Sequence, residues 1–368
     1  MIYCANPKAQ YLSYRKEIDQ AIKKVLNNDQ YILGSEVSEL EQKFASYIGV
    51  NSSVGVANGT DAIEISLRAM GIGEGDKVIT VSHSAVATIA GIESTGASAL
   101  VIDLEKDFYT MDHNLLEAAY DKQVKAVVAV HIYGQSSQID KIKEFCVEKN
   151  IFLIEDVAQA HGASFNNMKL GSIGDVGCFS CYPTKNLGAV GDGGIVTTNN
   201  SNLAKKIRMI REYGWNNRIS EIKGRNSRLD EIQAAVLNIK LKNLDYDNNR
   251  RKKIAEIYDD LNCHNFITPT YRKNADHVFH LYVCRLKARD KLITYLNERD
   301  IFPGIHYSTP IHKQPAYIKN LKQGSVMNIT ENIANEIISL PMYPELPHDD
   351  AKKIRNHINN FLRANEVN

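Results

Sequence analysis

A chain of 368 residues with 43% hydrophobic content can bury a large core and has room for two domains. Lysine and arginine total 44 against 43 for aspartate and glutamate, so no long-range positive field gathers nucleic acid or a membrane surface. The N-terminal residues contain no apolar signal segment, and no stretch approaches the ~20 apolar residues of a membrane span. We therefore expect a cytoplasmic protein without a nucleic-acid or membrane partner.

Helical and strand periodicities alternate along the first part of the chain, which is the pattern of a mainly parallel sheet covered by helices. The sequence predicts helices over 37–48, 59–70, 85–93 and 137–149, and strands over 54–57, 77–81, 99–102, 125–130 and 151–156. Ligands of such sheets bind outside the carboxyl ends of the strands. His131 and Asp156, which end two of the strands, are therefore placed at the active edge.

Helical sequence dominates after residue 200. Helices are predicted over 201–212 and from about residue 228 onward, and a polar run over 245–253 marks a domain boundary. We predict a large α/β domain over 1–245 and a small α+β domain over 246–368. The small domain has a predicted strand over 280–285 and predicted helices over 289–299, 328–338 and 349–363.

A single lysine, Lys185, lies between a strand-like run over 176–181 and a loop that contains four glycines up to residue 194. Glycine lets the backbone pass close to a flat ligand. A buried amine loses its proton readily and can attack a carbonyl group, which is how enzymes hold pyridoxal phosphate (PLP). Lys185 is therefore a candidate Schiff-base lysine, and an exposed loop lysine is the alternative.

The segment that begins at Asp156 supplies further candidates. A pyridine cofactor needs a carboxylate at its ring nitrogen, and Asp156 is placed for that role. Gln159 can bond the ring hydroxyl, and His161 can support the Asp156 carboxylate. The alternative is that Asp156 only caps the following helix.

Residues 57–63 open a predicted helix and offer a phosphate site. The N–H groups of a first helical turn are free to bind a phosphate, and here they belong to Gly59, Thr60 and Asp61. The Thr60 hydroxyl can complete this phosphate cradle. By itself the segment is only a good helix cap.

Cys178 and Cys181 form a C-x-x-C pair among six cysteines. A metal or redox site would need a second pair or a histidine cluster, whereas this segment has the composition of a buried strand, in which cysteine is a small hydrophobic residue. We predict no metal site, and free thiols in a reducing compartment.

Three motifs, G-T-D-A (59–62), E-D-x-A-Q-A-H-G (155–162) and S-C-Y-P-T-K-N-L-G-A-x-G-D-G-G (180–194), together resemble the DegT/StrS family of sugar aminotransferases. The similarity continues over 224–235 and 304–317. It implies the fold type I architecture of PLP enzymes, an α/β fold with a mainly parallel central sheet flanked by helices and a smaller C-terminal α+β domain. Relatives that lack the lysine are dehydratases, partner-binding proteins or regulators, and Lys185 argues against these roles. A PLP-binding regulator or scaffold remains the alternative from another class.

The resemblance implies a role for each matching residue. Lys185 holds the cofactor and moves the proton in both halves of the reaction, and Asp156 bonds the ring nitrogen. Further contacts with the cofactor are implied for Gln159 at the ring hydroxyl, for Gly59, Thr60, Asp61 and Ser180 at the phosphate, and for Asn226 at the phosphate in the neighbouring subunit. The last role requires a homodimer.

One departure from the family concerns the face of the cofactor ring. Most relatives carry an aromatic residue at the position aligned with Ala85, so another group must cover the ring in this chain. His83 is a candidate, although a histidine beside a strand end is more often structural.

The implied reaction moves an amino group from L-glutamate, through pyridoxamine phosphate, to a nucleotide-linked keto sugar. Residues 213–218 and 304–307 are similar to those of members that act at C3 of dTDP-linked 3-keto-6-deoxyhexoses. The alternative is a 4-aminotransferase that acts on a UDP- or dTDP-4-keto sugar. The candidate substrate contacts are Tyr182, Trp215, Arg218, His306, Tyr307 and His312, with Lys223 and Arg228 as further candidates for the diphosphate.

Overall fold

The computed structural model describes residues 1–261 and 265–366, so Cys263 lies outside the described residues. The predicted helices are present, with most ends within a few residues, and the structure has further helices over 7–13, 15–26 and 116–119 that we did not predict. The helices are α1 (Pro7–Ser13), α2 (Arg15–Leu26), α3 (Ser35–Ile48), α4 (Gly59–Ala69), α5 (Val86–Glu93), α6 (Leu116–Ala119), α7 (Ile139–Lys149), α8 (Ser201–Ile210), α9 (Glu231–Asp259), α10 (Arg289–Asn297), α11 (Asn328–Glu336) and α12 (His348–Glu366).

The strands fall into one large sheet and several short pairings. They are β1 (Ile2–Tyr3), β2 (Ser52–Val56), β3 (Lys77–Val81), β4 (Ser98–Ile102), β5 (Val124–Val130), β6 (Phe152–Asp156), β7 (Ser164–Phe165), β8 (Met168–Lys169), β9 (Val176–Ser180), β10 (Gly194–Thr198), β11 (Trp215–Asn216), β12 (Ile219–Ser220), β13 (Ala275–Asp276), β14 (Tyr282–Arg285), β15 (Ile301–Phe302), β16 (Lys322–Gln323) and β17 (Ile337–Leu340).

The central sheet has the strand order β16–β4–β3–β5–β6–β9–β10–β2 in the described residues. β10 is antiparallel to both of its neighbours, and the other neighbouring pairs are parallel. Parallel strands end at the same edge of a sheet, so Asp156 and Ser180, at the ends of β6 and β9, lie at one edge with the residues that follow β3. The predicted mainly parallel α/β sheet is confirmed.

Both faces of the sheet are buried because its side chains alternate between two hydrophobic layers. In β5, Val127 and Ala129 pack in the layer that contains α3 and the first half of α9. Ala126 and Val128 pack in the opposite layer with α4, α5 and α8. This double burial explains why the strand sequences are nearly continuous apolar runs.

The C-terminal part of the chain has a hydrophobic cluster of its own, formed by the second half of α9 with α10, α12, β14 and β17. The predicted boundary at residue 245 falls inside the continuous helix α9. In addition, β16 pairs with β4 at the edge of the central sheet. The division into domains over 1–245 and 246–368 stays a prediction.

The last residues of one predicted helix form a strand instead. The helix predicted over 328–338 ends at Glu336, and the next four residues form β17, which pairs with β14. Ile337 and Ile338 are β-branched, so they suit a strand, but helical spacing in the sequence cannot separate the two states. Among the described residues, no helix is both long and apolar enough to cross a membrane.

Candidate active site

A cavity of about 540 Å³ opens at the carboxyl edge of the central sheet. Several of the predicted site residues line it together, namely Gly59, Thr60, Asp61, Asp156, Gln159, Ser180, Tyr182 and Lys185. The sequence analysis missed further lining residues, among them Asn58, Ser84, Thr88, Ala158 and Asp192. Asn58 could have been found as the helix cap directly before Gly59, whereas Ser84 and Thr88 have no comparable local signal.

The first turn of α4 forms one end of the cavity. The Asn58 side chain accepts from the Asp61 N–H at 2.8 Å, so this group is not free for a phosphate as we predicted. The N–H groups of Gly59 and Thr60 remain for a ligand. A Cβ atom on Gly59 would lie 2.6 Å from the Ser180 Cβ, so only glycine permits this approach. Gly59, Thr60 and Ser180 therefore line the same end of the cavity, where helix N–H groups and the hydroxyls of Thr60 and Ser180 suit an anion.

The Asp61 carboxylate would repel an anion at this point if it were free. Instead it lies 3.5 Å from the guanidinium of Arg225, which also bonds Glu64. Asn226, the next residue along the chain, is exposed and does not line the cavity of its own chain.

Asp156 lies at the end of β6 with its carboxylate buried beside the cavity. One oxygen accepts from the Thr88 hydroxyl at 2.9 Å, and the other accepts from the Ala158 N–H at 3.1 Å. Burial raises the pKa of Asp156, while these bonds and the charge of Lys185 lower it. Within the described residues Asp156 forms no ion pair at salt-bridge distance, so its charge is only partly compensated.

Lys185 is partly buried, and desolvation lowers its pKa to about 8. The negative charge of Asp156 acts in the opposite direction and raises this pKa. The backbone after this lysine is anchored on α9. The Asn186 side chain donates to Asn248 at 2.8 Å, and the ammonium of Lys240 donates to the Gly188 carbonyl at 2.6 Å. The lysine is thus held on a fixed loop with an amine that loses its proton near neutral pH.

Gln159 is oriented from both sides. Its carbonyl oxygen accepts from the Tyr133 N–H at 2.7 Å, and its amide nitrogen donates to the Tyr307 hydroxyl at 3.0 Å. The second N–H of the amide remains to donate into the cavity. Tyr307 thus joins the site through Gln159 and does not itself line the cavity.

Glu155, next to Asp156, was not predicted as a site residue. Its fully buried carboxylate accepts from the N–H groups of Gly171, Ile173 and Gly174 and lies 3.1 Å from a ring nitrogen of His131. These bonds fix the loop over 171–174 against the end of β6. The role of Glu155 is therefore to hold the edge of the sheet in place.

His161 does not support Asp156, and that expectation was wrong. Its ring is fully buried beside Phe179, and within the described residues neither ring nitrogen makes a hydrogen bond of normal geometry. Burial lowers the pKa of His161 to about 3, so the ring is neutral. The hydrogen bond to the Asp156 carboxylate that we expected from His161 comes from Thr88 instead.

The structure places His83 behind the cavity wall. Its ring is fully buried and bonds the Tyr133 hydroxyl, whereas Ser84 and Ala85 line the cavity. This placement does not support the role of His83 in covering the cofactor ring. His83 follows β3 by two residues, and Ser84 and Ala85, the next two along the chain, are the ones that line the cavity.

The predicted sugar contacts lie in three places. Tyr182 lines the cavity and is 53% exposed, so it stands at the mouth. His306 is partly buried, and burial together with the charge of Lys185 lowers its pKa to about 4. His312 is buried with its ring bonded to Ser82 and Glu331, which does not support its predicted contact with the sugar.

The hairpin of β11 and β12 carries two further predicted contacts. Arg218, between the strands, is exposed and lies over the Trp215 ring at 5.4 Å. Neither residue lines the cavity of its own chain.

Cys178 and Cys181 are buried and free, as predicted, and burial raises the pKa of both thiols. Among the described residues, no group of three or more histidine, cysteine, aspartate or glutamate side chains could hold a metal ion.

The fold and the cavity define the class of protein. An amine of lowered pKa, a buried carboxylate and a helix N-terminus around one cavity match the aldehyde, ring nitrogen and phosphate of PLP. A protonated ring nitrogen would supply the cationic partner that Asp156 lacks in the described residues. The site is that of a PLP-dependent enzyme.

Comparison with known proteins narrows the class to a family. The DegT/DnrJ/EryC1/StrS aminotransferase family matches residues 13–359. The chain is 42% identical over 352 residues, 95% of this chain and 96% of the other, to dTDP-3-amino-3,6-dideoxy-alpha-D-galactopyranose transaminase of Aneurinibacillus thermoaerophilus. It is 38% identical over 350 residues, 94% and 92% of the two chains, to dTDP-3-amino-3,4,6-trideoxy-alpha-D-glucose transaminase of Streptomyces venezuelae.

A solved structure agrees with these matches. The X-ray structure of S. venezuelae DesV in complex with a ketimine intermediate has a TM-score of 0.95 and 37% identity, with 98% of each chain covered. This chain therefore belongs to the DegT/DnrJ/EryC1/StrS aminotransferase family and is a PLP-dependent aminotransferase.

Proposed function

We propose that this chain transfers the amino group of L-glutamate to C3 of a dTDP-linked 3-keto-6-deoxyhexose. The observation that carries the proposal is the 42% identity along nearly the whole chain to a transaminase named for a dTDP-3-amino-3,6-dideoxy sugar. A second relative, at 38% identity, is also named for a dTDP-3-amino sugar. The amination of C3 is thus favoured over that of C4.

In this proposal each residue of the cavity has a separate role in the reaction. When bound, PLP supplies an electron sink for removal of a proton from the carbon that bears the amino group. Lys185 takes and returns that proton, and its pKa of about 8 suits both roles near neutral pH. Asp156 would hold the ring nitrogen protonated, Gln159 would donate to the ring hydroxyl, and Gly59, Thr60 and Ser180 would hold the phosphate.

The sugar is proposed to lie between the cavity mouth and the segment that contains His306. A neutral imidazole can donate or accept a hydrogen bond with a sugar hydroxyl. The ring of His306 is oriented by Ser339, whose hydroxyl lies 2.9 Å from the ring nitrogen Nδ1. Tyr182 at the mouth covers the sugar from the solvent side.

A homodimer is part of this proposal. Trp215, Arg218 and Asn226 do not line the cavity of their own chain, although each has a proposed ligand contact. Exposed apolar side chains occur on nearby segments, including Ile219 of the hairpin at 68% exposure and Ile222 after it at 38%. We place these residues against the cavity of a second copy, where Asn226 meets the phosphate and Arg218 the substrate diphosphate.

We further place the enzyme in the cytoplasm, in a route that supplies a deoxyamino sugar to lipopolysaccharide O-antigen or another surface glycan. This assignment of compartment rests on the balanced charge and the free thiols of the chain.

The test is a pair of half-reactions followed by product analysis. We expect the visible spectrum of the PLP-loaded protein to change to that of the pyridoxamine form on addition of L-glutamate. We expect it to return on addition of a dTDP-3-keto-6-deoxyhexose, with nitrogen at C3 of the product by NMR. Nitrogen at C4 would overturn the position assigned, and no spectral response to any amino donor would favour a regulator.

The dimer has a separate test. Mixing a Lys185→Ala chain with an Asn226→Ala chain should restore activity if each cavity combines residues of two copies, because one cavity of the mixed dimer is then intact. A mixture no more active than either variant would contradict shared sites.

A further inference from the structure

Two hydroxyl groups connect the start of α5 to the carboxylate of Asp156. The Thr88 hydroxyl lies 2.9 Å from Oδ2 of Asp156, and the Ser84 hydroxyl lies 2.8 Å from that of Thr88. All three side chains are buried, at 1% exposure for Thr88, 4% for Ser84 and 6% for Asp156. The three groups therefore form a continuous chain of hydrogen bonds in the wall of the cavity.

The direction of these bonds follows from the chemistry of the groups. A carboxylate only accepts hydrogen bonds, so Thr88 donates its single proton to Asp156. The Thr88 oxygen can then only accept, and Ser84 must donate to it. Since the Ala158 N–H binds the other carboxylate oxygen at 3.1 Å, both oxygens are fixed in position.

We infer that Thr88, oriented by Ser84, is the positioning residue that keeps Asp156 ionised and directed at the ring nitrogen of the cofactor. This inference rests on the role proposed for Asp156. Thr88 acts through Asp156 and makes no bond to the reacting atoms itself.

The carboxylate needs this support because its surroundings oppose its charge. Burial raises the pKa of Asp156, and the bond from Thr88 is the largest of the effects that lower this pKa. The other titratable groups that face Asp156 are Lys185 and His131, which lower its pKa, and the Tyr307 hydroxyl and the Cys178 thiol. Removal of the hydroxyl would leave the buried charge with one donor fewer.

The experiment measures the dissociation constant of PLP between pH 6 and 9 in wild type and in Thr88→Val. We expect the valine variant to bind PLP about 10- to 100-fold more weakly, the effect of losing a hydrogen bond to a charged group. The loss should be greatest at low pH, where the unsupported carboxylate takes up a proton. Thr88→Ser restores the donor and should bind within about 3-fold of wild type.

Thr80→Val is the matched control. Thr80 is also a fully buried threonine, and its hydroxyl donates at 3.0 Å to the carbonyl of Val128 and not to Asp156. The Thr80→Val variant should leave the affinity for PLP unchanged. Ser84→Ala should weaken binding in wild type and have no further effect in Thr88→Val, because Ser84 acts through Thr88.

The outcomes separate this inference from the role of Asp156. If Asp156→Asn binds PLP weakly while Thr88→Val keeps the affinity and the pH dependence of wild type, the inference about Thr88 alone is overturned. Unchanged binding in Asp156→Asn would overturn the role of Asp156, and the inference with it. Equal losses in Thr88→Val and Thr80→Val would reduce Thr88 to a packing role and overturn the inference.

Discussion

The two ends of the candidate site differ in how their side chains are held. At the cofactor end, Asp156 and Gln159 are buried, and each is hydrogen-bonded by two other groups of the same chain. At the other end, Arg218 and Trp215 lie on a two-stranded hairpin, outside the cavity, with the arginine exposed to solvent. Asp156 and Gln159 are held by groups of their own chain, whereas Arg218 and Trp215 are open to a second molecule.

This difference separates the chemistry of the family from the choice of substrate. Groups that are fixed by several bonds can hold a cofactor in one geometry, which amino-group transfer requires for any substrate. An exposed hairpin can vary without disturbing that geometry. Variants of the cofactor end should therefore affect both half-reactions, and variants of the hairpin only the reaction with the nucleotide sugar.

The largest expected effect is that of Lys185→Ala. In the proposed mechanism the amine of Lys185 moves the proton, so its loss should slow both half-reactions by at least about 10²- to 10⁴-fold. Stopped-flow absorbance with L-glutamate, and separately with the keto sugar, measures the two rates. Lys125→Ala, at an exposed lysine, is the control and should leave both unchanged. A loss confined to one half-reaction would contradict the view that the cofactor end serves both half-reactions.

The next effect is a dependence on pH. Burial lowers the pKa of Lys185 to about 8, and only the neutral amine attacks the cofactor aldehyde. The rate at which the apoprotein takes up PLP should therefore rise about tenfold per pH unit below 8 and level off above it. Asp156→Asn removes a charge that raises this pKa, so its midpoint should lie at lower pH. A midpoint near 10 in wild type would show that the amine is not desolvated.

Glu155→Gln tests how firmly the sheet edge is held. The amide cannot accept all the donors that converge on the Glu155 carboxylate, and unsatisfied buried donors cost about 1–3 kcal/mol each. We expect the free energy of unfolding to fall by about 3 kcal/mol, as measured by urea denaturation of the apoprotein. Glu144→Gln, at an exposed carboxylate paired with Lys141, should change it by less than about 0.5 kcal/mol. Equal effects of the two variants would contradict the structural role of Glu155.

The sequence was sufficient for the elements and residues whose signal is local. The strand over 77–81 was predicted with both of its ends, because an apolar run between turns marks a buried parallel strand. Thr60, Asp156 and Lys185 each follow or precede such a run, and the sheet brings them to one cavity. Short-range pattern therefore identified several of the residues that the structure brings together in the cavity.

Contacts between distant segments could not be predicted in this way. Thr88 reaches Asp156 across 68 positions, and Tyr307 reaches Gln159 across 148. No spacing in the sequence indicates these pairs, because they depend on strand order and on how the C-terminal part folds back over the sheet. The failed expectations for His161 and the unsupported ones for His83 and His312 have the same origin, since a buried histidine and a ligand-binding one look alike in sequence.

The smallest effect that we expect concerns the hairpin. Within the described residues Arg218 has no carboxylate partner at salt-bridge distance, so its charge is free to bind the substrate diphosphate. Arg218→Ala should raise KM for the nucleotide sugar about 10-fold and leave the rate with L-glutamate within about 2-fold of wild type. Arg218→Lys keeps the charge but not the bidentate geometry, and should recover part of the loss.

Steady-state kinetics with each substrate varied in turn measure this split. A higher KM for the sugar alone would mean that the exposed end selects the substrate and the buried end carries the chemistry. An equal loss in the reaction with L-glutamate would mean that the hairpin also orders the cofactor end, and the two ends would then have to be treated as one unit across the proposed dimer.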